Sequence, residues 1–337
     1  MITVVGAHVE GEIGRVITGG VLPPKGVTMF ECMETLERED SWLRDMLLND
    51  PRGGVNVCVN LITPPIRDDA DIGLIIMESD FFVPMSGSNI MCTVTVALET
   101  GIIPMKEPET VVRVDTPAGL VEVVAECRDG KCRRVAFQNI ASFVMHRDKT
   151  IEVPGVGSLR VDVAYGGMIY CLVESQDVGV GLSRDEARDL VELGERIKAA
   201  AAEQLPSTHP ENSAIHTVNQ TEFVGPIEMI DGIKTSKNAV IVSPGRIDRC
   251  PCGTGTSARM ALLHERGDLG IGEVFRHTSI IDTEFDCRIL ETTSVGNLPA
   301  VIPMVSGRAW LTGISHYGVD PEDPFPRGYR LPDTWFQ

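Results

Sequence analysis

The sequence predicts an α+β chain made of two duplicated, strand-rich halves, each organised around a central helix. Three observations carry that prediction. Most of the chain reads as short β-branched runs closed by Gly, Pro or Asp: Thr3 to Val5, Gly14 to Thr18, Gly73 to Met77, Val111 to Asp115 and Ala239 to Val242. Helical periodicity is confined to four places. Two of these, SGSNIMCTVTVALETG (86–101) and CGTGTSARMALLHERG (252–267), superimpose without a gap at an offset of 166, placing Ser86 on Cys252, Gly87 on Gly253, Glu99 on Glu265 and Gly101 on Gly267.

The remaining two helices fit the same scheme. Residues 36–48 carry Leu43, Met46 and Leu47 on one side and stop before Pro51. Residues 183–203 open on Ser183 and Glu186, a capping-box pair, and set Leu190, Val191, Gly194 and Ile197 at helical spacing. Each precedes one of the aligned segments, so the order of elements repeats. At roughly 150 residues per domain, 337 residues make about two domains. The boundaries are read as 1–143 and 144–314, with the tail 315–337 packing back on the first half. No linker of disordered composition separates the halves.

Composition narrows the function. Lys and Arg total 30 against 48 Asp and Glu, a formal charge of −18. Such a surface repels phosphate backbones and anionic lipid, so nucleic-acid and membrane partners are not expected. No run approaches about 18 consecutive apolar residues. Nine cysteines lie scattered at positions 32, 58, 92, 127, 132, 171, 250, 252 and 287, without a disulfide framework. The opening MITVVGAHVEGE has no basic leader region, so the expectation is a cytoplasmic protein with reduced, mostly buried thiols.

The segment C-G-T-G-T-S (252–257) carries the chemistry. A thiol just before a Gly/Thr-rich helix start meets unpaired backbone N–H groups and the positive end of the helix dipole, and both are expected to stabilise a thiolate. The same N–H groups suit a substrate carboxylate, so Cys252 is placed to remove a proton α to that group. The plainer reading is a buried cysteine before a turn. Asp248, four residues earlier in D-R-C-P-C, either grips an ammonium group or is a solvated turn carboxylate. Cys250 and Cys252 form C-x-C with no further ligand at zinc spacing, so no metal is expected.

These residues add up to a resemblance. H-V-E-G-E-I-G-R-V-I-T-G-G (8–20), P-R-G-G (51–54), P-M-S-G-S-N (84–89), D-T-P-A-G (115–119), V-A-Y-G-G-M-I-Y (163–170), D-R-C-P-C-G-T-G-T-S-A (248–258) and D-P-E-D-P-F near the C-terminus resemble the proline racemase family over nearly the whole chain. That family includes proline racemases, 4-hydroxyproline epimerases and trans-3-hydroxy-L-proline dehydratases. The resemblance implies two pseudo-symmetric domains of the diaminopimelate-epimerase-like fold, each a strand-rich barrel around a central helix, with the active site in the interdomain cleft. It implies a small imino acid substrate, no cofactor and a homodimer. It makes Cys252 catalytic and Asp248 the binder of the ring amine. Gly253, Thr254 and Gly255 match the carboxylate cradle, with Gly87 and Ser88 as its partner.

The first motif departs from the family pattern M-C-G-H-G. Ser86 stands where the second catalytic cysteine belongs, and Ser88 where the histidine belongs; Cys92 lies too far along the helix to replace it. Racemisation by two bases needs a competent group on each face of Cα. An alcohol is far too weak an acid to sit ionised at neutral pH without a base of its own. The first expectation is therefore dehydration of trans-3-hydroxy-L-proline with Cys252 as base, Ser86 lending a hydrogen bond or a proton. The alternatives are a 4-hydroxyproline 2-epimerase, then a proline racemase, then an inactive imino acid binder. His8 and Arg15 read as structural; Arg52, Gly53 and Gly54 match the family's P-R-G-H, with Gly54 at the histidine, and none of these is read as catalytic. Tyr170 reads as pocket lining or packing, and His216 as core or cleft.

Overall fold

The computed structural model describes residues 1–39 and 41–335. Among the described residues there are five α-helices: α1 Met29–Glu39, α2 Trp42–Leu48, α3 Gly87–Glu99, α4 Ala187–Gln204 and α5 Gly253–Arg266. All five strand runs read from the sequence fall within strands, and α3 and α5 start one residue after Ser86 and Cys252.

Where one helix is expected at 36–48 the described residues carry two, α1 and α2, and α1 begins earlier because a start signal lies at Thr28. The Thr28 hydroxyl accepts the Glu31 N–H at 3.1 Å, and the Glu31 carboxylate accepts the Val27 N–H at 2.9 Å. This T-x-x-E pair, a variant of the capping box, starts α1 seven residues before position 36. At the other predicted start the Ser183–Glu186 box is formed, but its first turn, Arg184–Glu186, is a 3₁₀ turn leading into α4.

The backbone divides into two compact units, Met1–Phe137 with Gly307–Gln337, and Gln138–Ser306. The divisions fall at the ends of strands Lys131–Gln138 and Leu298–Gly307. The expected divisions at 143/144 and 314/315 would have cut strands Ser142–Val153 and Ala309–Tyr317, whose ladders hold them whole.

The two units repeat one topology. In the first, Ile2–Val9 pairs antiparallel with Glu12–Gly19; after α1 and α2, Val57–Thr63 joins parallel to Glu12–Gly19. Ile72–Met77 turns back antiparallel, and after α3 the strand Glu109–Thr116 joins parallel to it. In the second, Gly157–Tyr165 pairs antiparallel with Ile169–Glu174; after α4, Gln220–Val224 joins parallel. Ile233–Val242 turns back antiparallel, and after α5 the strand Phe275–Thr278 joins parallel to it.

The second unit closes on itself. Glu284–Val295 and Leu298–Gly307 continue the sheet, and Ala300 and Val301 pair with Phe143 and Ser142, completing a ring of eight strands. Helix α5 lies buried from Gly253 to Leu263. Leu190, Leu193 and Ile197 of α4 bury their apolar stripe on the outer side of this sheet. In the first unit the tail folds back over α2: Arg52 binds Asp323 and the carbonyls of Phe325 and Pro326.

All nine cysteines are buried and no disulfide joins any two of them. Among the described residues no helix is long and apolar enough to cross a membrane.

Candidate active site

The chain must bend to begin α5. Cys252 sits at φ 61° and ψ 111°, a conformation that costs a residue with a side chain about 1–3 kcal/mol and persists only where its surroundings enforce it. They do. The Pro251 carbonyl accepts from Asn238 Nδ2 at 2.8 Å and from Thr256 Oγ1 at 3.0 Å, and the Cys252 carbonyl accepts the Thr256 N–H at 2.9 Å. Gly166 packs against the same turn: a Cβ there would lie 2.5 Å from the Ala258 nitrogen, which only glycine avoids.

This bend turns the Cys252 thiol onto donors. Sγ accepts the Gly255 N–H at 3.4 Å, lies 3.5 Å from Tyr170 Oη and 3.6 Å from Thr254 Oγ1. The two hydroxyls are themselves 2.6 Å apart. Together they hold two protons, of which one closes their mutual bond, leaving the other for sulfur. Of the expected cradle Gly253–Thr254–Gly255, the Gly255 N–H is thus turned to the thiol. Tyr170 is 1% exposed and Cys252 is 7% exposed, so this network is largely shielded from water.

The electrostatics correct one expectation. The helix start does not lower the thiol below its ordinary range; the thiol is held well above it. Burial is the largest cause, the Asp248 carboxylate the next, and Glu222 adds to both, against opposing hydrogen bonds from Tyr170 and Gly255. A dipole of roughly half a charge does not outweigh desolvation together with two nearby carboxylates.

Asp248 follows strand Arg246–Ile247 and is tied at both ends, its N–H to the Val240 carbonyl at 3.0 Å and its Oδ1 to Arg246 Nη1 at 3.0 Å. Its side chain is only 12% exposed, so it is a shielded, ion-paired carboxylate rather than a solvated turn residue.

Ser86 begins α3 differently. It caps in extended conformation, φ −150° and ψ 123°, without spending its side chain on the helix N–H groups. Its hydroxyl instead accepts from Asn89 Nδ2 at 3.0 Å and lies 3.3 Å from Ser88 Oγ. The polarity of this chain is set by the backbone. Asn60 Nδ2 donates to the Arg15 carbonyl at 3.3 Å and to Asn89 Oδ1 at 2.9 Å, so the Asn89 amide must present its NH₂ to Ser86. Gly87 is required beside it because the Phe137 ring fills the space of a Cβ. Cys92 is wholly buried and lies against Gly14, where a Cβ would stand 2.8 Å from its sulfur; it is core.

The other candidates sort cleanly. Tyr170, left between pocket and packing, is part of the thiol network. His8 stacks on Trp310 with centroids 5.1 Å apart, and Arg52 clamps the tail. His216 is exposed, its ring nitrogen 3.0 Å from the Ala214 carbonyl, so it is not core. Sequence reasoning passed over Asn89, Asn238 and Glu222. Only the first left a readable signal, the S-x-x-N spacing from Ser86. Among the described residues no group of three or more His, Cys, Asp or Glu could hold a metal ion.

The chain matches the proline racemase family over residues 4–330 and belongs to it. It is an enzyme of that family. A probable proline racemase from Agrobacterium radiobacter K84, solved with bound carbonate, is 40% identical at a TM-score of 0.91, covering 100% of this chain and 98% of that one. A hydroxyproline epimerase from Agrobacterium vitis, solved with bound trans-4-hydroxy-L-proline, is 38% identical at a TM-score of 0.91, covering 99% and 96%. A PhzF-family phenazine biosynthesis protein from Bacillus anthracis shares the fold alone, at 10% identity and a TM-score of 0.62 over 94% and 99% of the two chains.

Proposed function

We propose that this enzyme dehydrates trans-3-hydroxy-L-proline to Δ1-pyrroline-2-carboxylate without a cofactor. The observation that carries the reading is the hydroxyl of Ser86: among the described residues its hydrogen-bond partners are Ser88 and Asn89, and neither is a base. Asn89 occupies a lone pair of Oγ, which disposes Ser86 to donate a proton and disfavours its accepting one.

One base suffices for dehydration. In trans-3-hydroxy-L-proline the carboxylate and the hydroxyl are trans, so the Cα hydrogen and the hydroxyl share a face. The Cys252 thiolate takes the Cα proton; the C3–O bond breaks, and the hydroxyl leaves as water after receiving that same proton back from the Cys252 thiol on their shared face. The enamine formed then tautomerises to the cyclic imine. The ring ammonium pairs with Asp248, removing the second-largest cause that holds the thiol up, so substrate binding itself favours the thiolate. Backbone N–H groups at the start of α5 take the carboxylate and the enolate-like charge that develops on it.

The likeness to a hydroxyproline epimerase that binds trans-4-hydroxy-L-proline favours a second reading, a 4-hydroxyproline 2-epimerase with Ser86 serving the second face through water. The deciding assay offers trans-3-hydroxy-L-proline, trans-4-hydroxy-L-proline and L-proline in parallel, with Cys252→Ser as control. Imine from the first alone supports the dehydratase. Full activity on the second with the first left intact overturns it.

A further inference from the structure

Directly behind the Cys252 turn lies a carboxyl group with no role in the reaction just described. Glu222, on strand Gln220–Val224, is 0% exposed. Its Oε1 accepts from Asn238 Nδ2 at 2.8 Å, the same amide group that donates to the Pro251 carbonyl. Its Oε2 is buried without a hydrogen-bond partner. That oxygen and the Cys252 sulfur flank one point: a Cβ on Gly255 would stand 3.2 Å from Glu222 Oε2 and 3.4 Å from Cys252 Sγ. A purely structural acceptor for Asn238 would be served by an amide, without the cost of burying an ionisable carboxyl that has one oxygen unsatisfied.

We propose that Glu222 is a positioning residue for Cys252: through Asn238 it holds the strained Pro251–Cys252 turn, and through its own charge it governs how readily the thiol gives up its proton. The claim rests on the reading of Cys252 as the base. The groups around Glu222 set the balance. Asn238 hydrogen-bonds it, Arg259 of α5 favours its ionised form, Asp248 opposes ionisation, and burial opposes it most, so it titrates at about 7. His277, from strand Phe275–Thr278, approaches Oε1 to 4.0 Å. The Thr256 hydroxyl spends its proton on the Pro251 carbonyl, so His277 Nδ1 donates to Thr256 at 2.9 Å. Burial, aided by Arg259, drops the imidazole to about 3 and keeps it neutral. Arg259 is anchored by Glu174 at 3.1 Å. Near neutral pH, Glu222 is thus the group in this cluster whose charge changes, beside a thiol whose ionisation that charge opposes.

The test is Glu222→Gln, which keeps an acceptor for Asn238 and removes the charge. Thiolate absorbance at 240 nm is titrated in the free enzyme, with Cys252→Ala as the background for the other eight cysteines. The pH profile of kcat is then measured on trans-3-hydroxy-L-proline. The proposal expects the Cys252 titration and the ascending limb of kcat to move to lower pH by at least half a unit, with plateau kcat within about fivefold. An unmoved titration in a folded variant overturns it, whether or not kcat falls. Glu222→Leu should lose the turn as well as the charge, lowering plateau kcat at least tenfold, and unchanged kcat there also counts against the proposal. The absorbance arm needs no substrate, so a wild-type enzyme inactive on trans-3-hydroxy-L-proline would refute the dehydratase reading and leave the Glu222 test standing.

Discussion

Asn89 Nδ2 donates to Ser86 Oγ across 3.0 Å, and the backbone carbonyl of Arg15, acting through Asn60, forbids the reverse arrangement. Two consequences are measurable, one at each residue. Replacing Asn89 by Asp turns a donor into a charged acceptor, which captures the Ser86 proton. A hydrogen bond to a charged group is worth about 1.5–3 kcal/mol, so kcat for dehydration should fall roughly 10- to 100-fold while the fold persists. Steady-state kinetics with circular dichroism as the folding control reads this. An unaffected kcat would mean that Ser86 donates nothing to the reaction.

At Ser86 itself, Cys supplies the thiol that the family pattern holds at this position. The variant should gain exchange of the Cα hydrogen with solvent deuterium and form the epimer of trans-4-hydroxy-L-proline at a rate above that of the unmodified enzyme. Chiral chromatography coupled to mass spectrometry of the amino acid recovered from D₂O reports both. Absence of any gain would show that the missing thiol is not what selects the reaction.

Tyr170→Phe removes a donor to the Cys252 sulfur without changing ring volume. Because Tyr170 opposes the causes that raise the thiol, its loss should push the thiol higher. The ascending limb of the kcat profile should move to higher pH. Activity at pH 7 should drop about tenfold, as one net hydrogen bond of about 1–1.5 kcal/mol implies. A uniform loss at every pH would mean that Tyr170 only packs.

His277 links the site to acid stability. Its imidazole titrates at about 3 in the folded chain, against 6.5 ordinarily, so between those values the unfolded chain binds a proton that the folded chain does not. Its contribution is complete above about pH 6.5 and is lost as pH falls toward 3. Glu222, raised to about 7, has the opposite sign: its contribution is complete below its ordinary 4.5 and is lost as pH rises through 7. His277→Gln should therefore be less stable than the unmodified enzyme at pH 7, and the gap should narrow by up to about 2 kcal/mol at pH 5. Denaturant melts at the two pH values measure it, and a constant gap contradicts the assignment.

Much of this was readable before the fold was known, and what was not follows one rule. The duplicated helix starts at Ser86 and Cys252, the strand runs and the Ser183–Glu186 cap are local signals, carried within a few residues. Tyr170 and Cys252 are 82 positions apart, and Glu222 meets Asn238 across a strand pair; no spacing in the sequence announces such contacts. The thiol's ionisation was misread for the same reason. The helix start that favours a thiolate is local, while the burial and the carboxylates that oppose it are assembled by the sheet. The Thr28–Glu31 cap and the S-x-x-N pair were local and were still passed over.

The central claim is a single working base. It is tested most directly by incubating the purified enzyme with trans-3-hydroxy-L-proline in D₂O and following the reaction by proton NMR, with chiral analysis of the unreacted substrate. The account predicts accumulation of Δ1-pyrroline-2-carboxylate, no Cα epimer in the recovered substrate, and loss of turnover by about 10²–10⁴-fold in Cys252→Ser. Appearance of the Cα epimer as fast as, or instead of, the imine would contradict it.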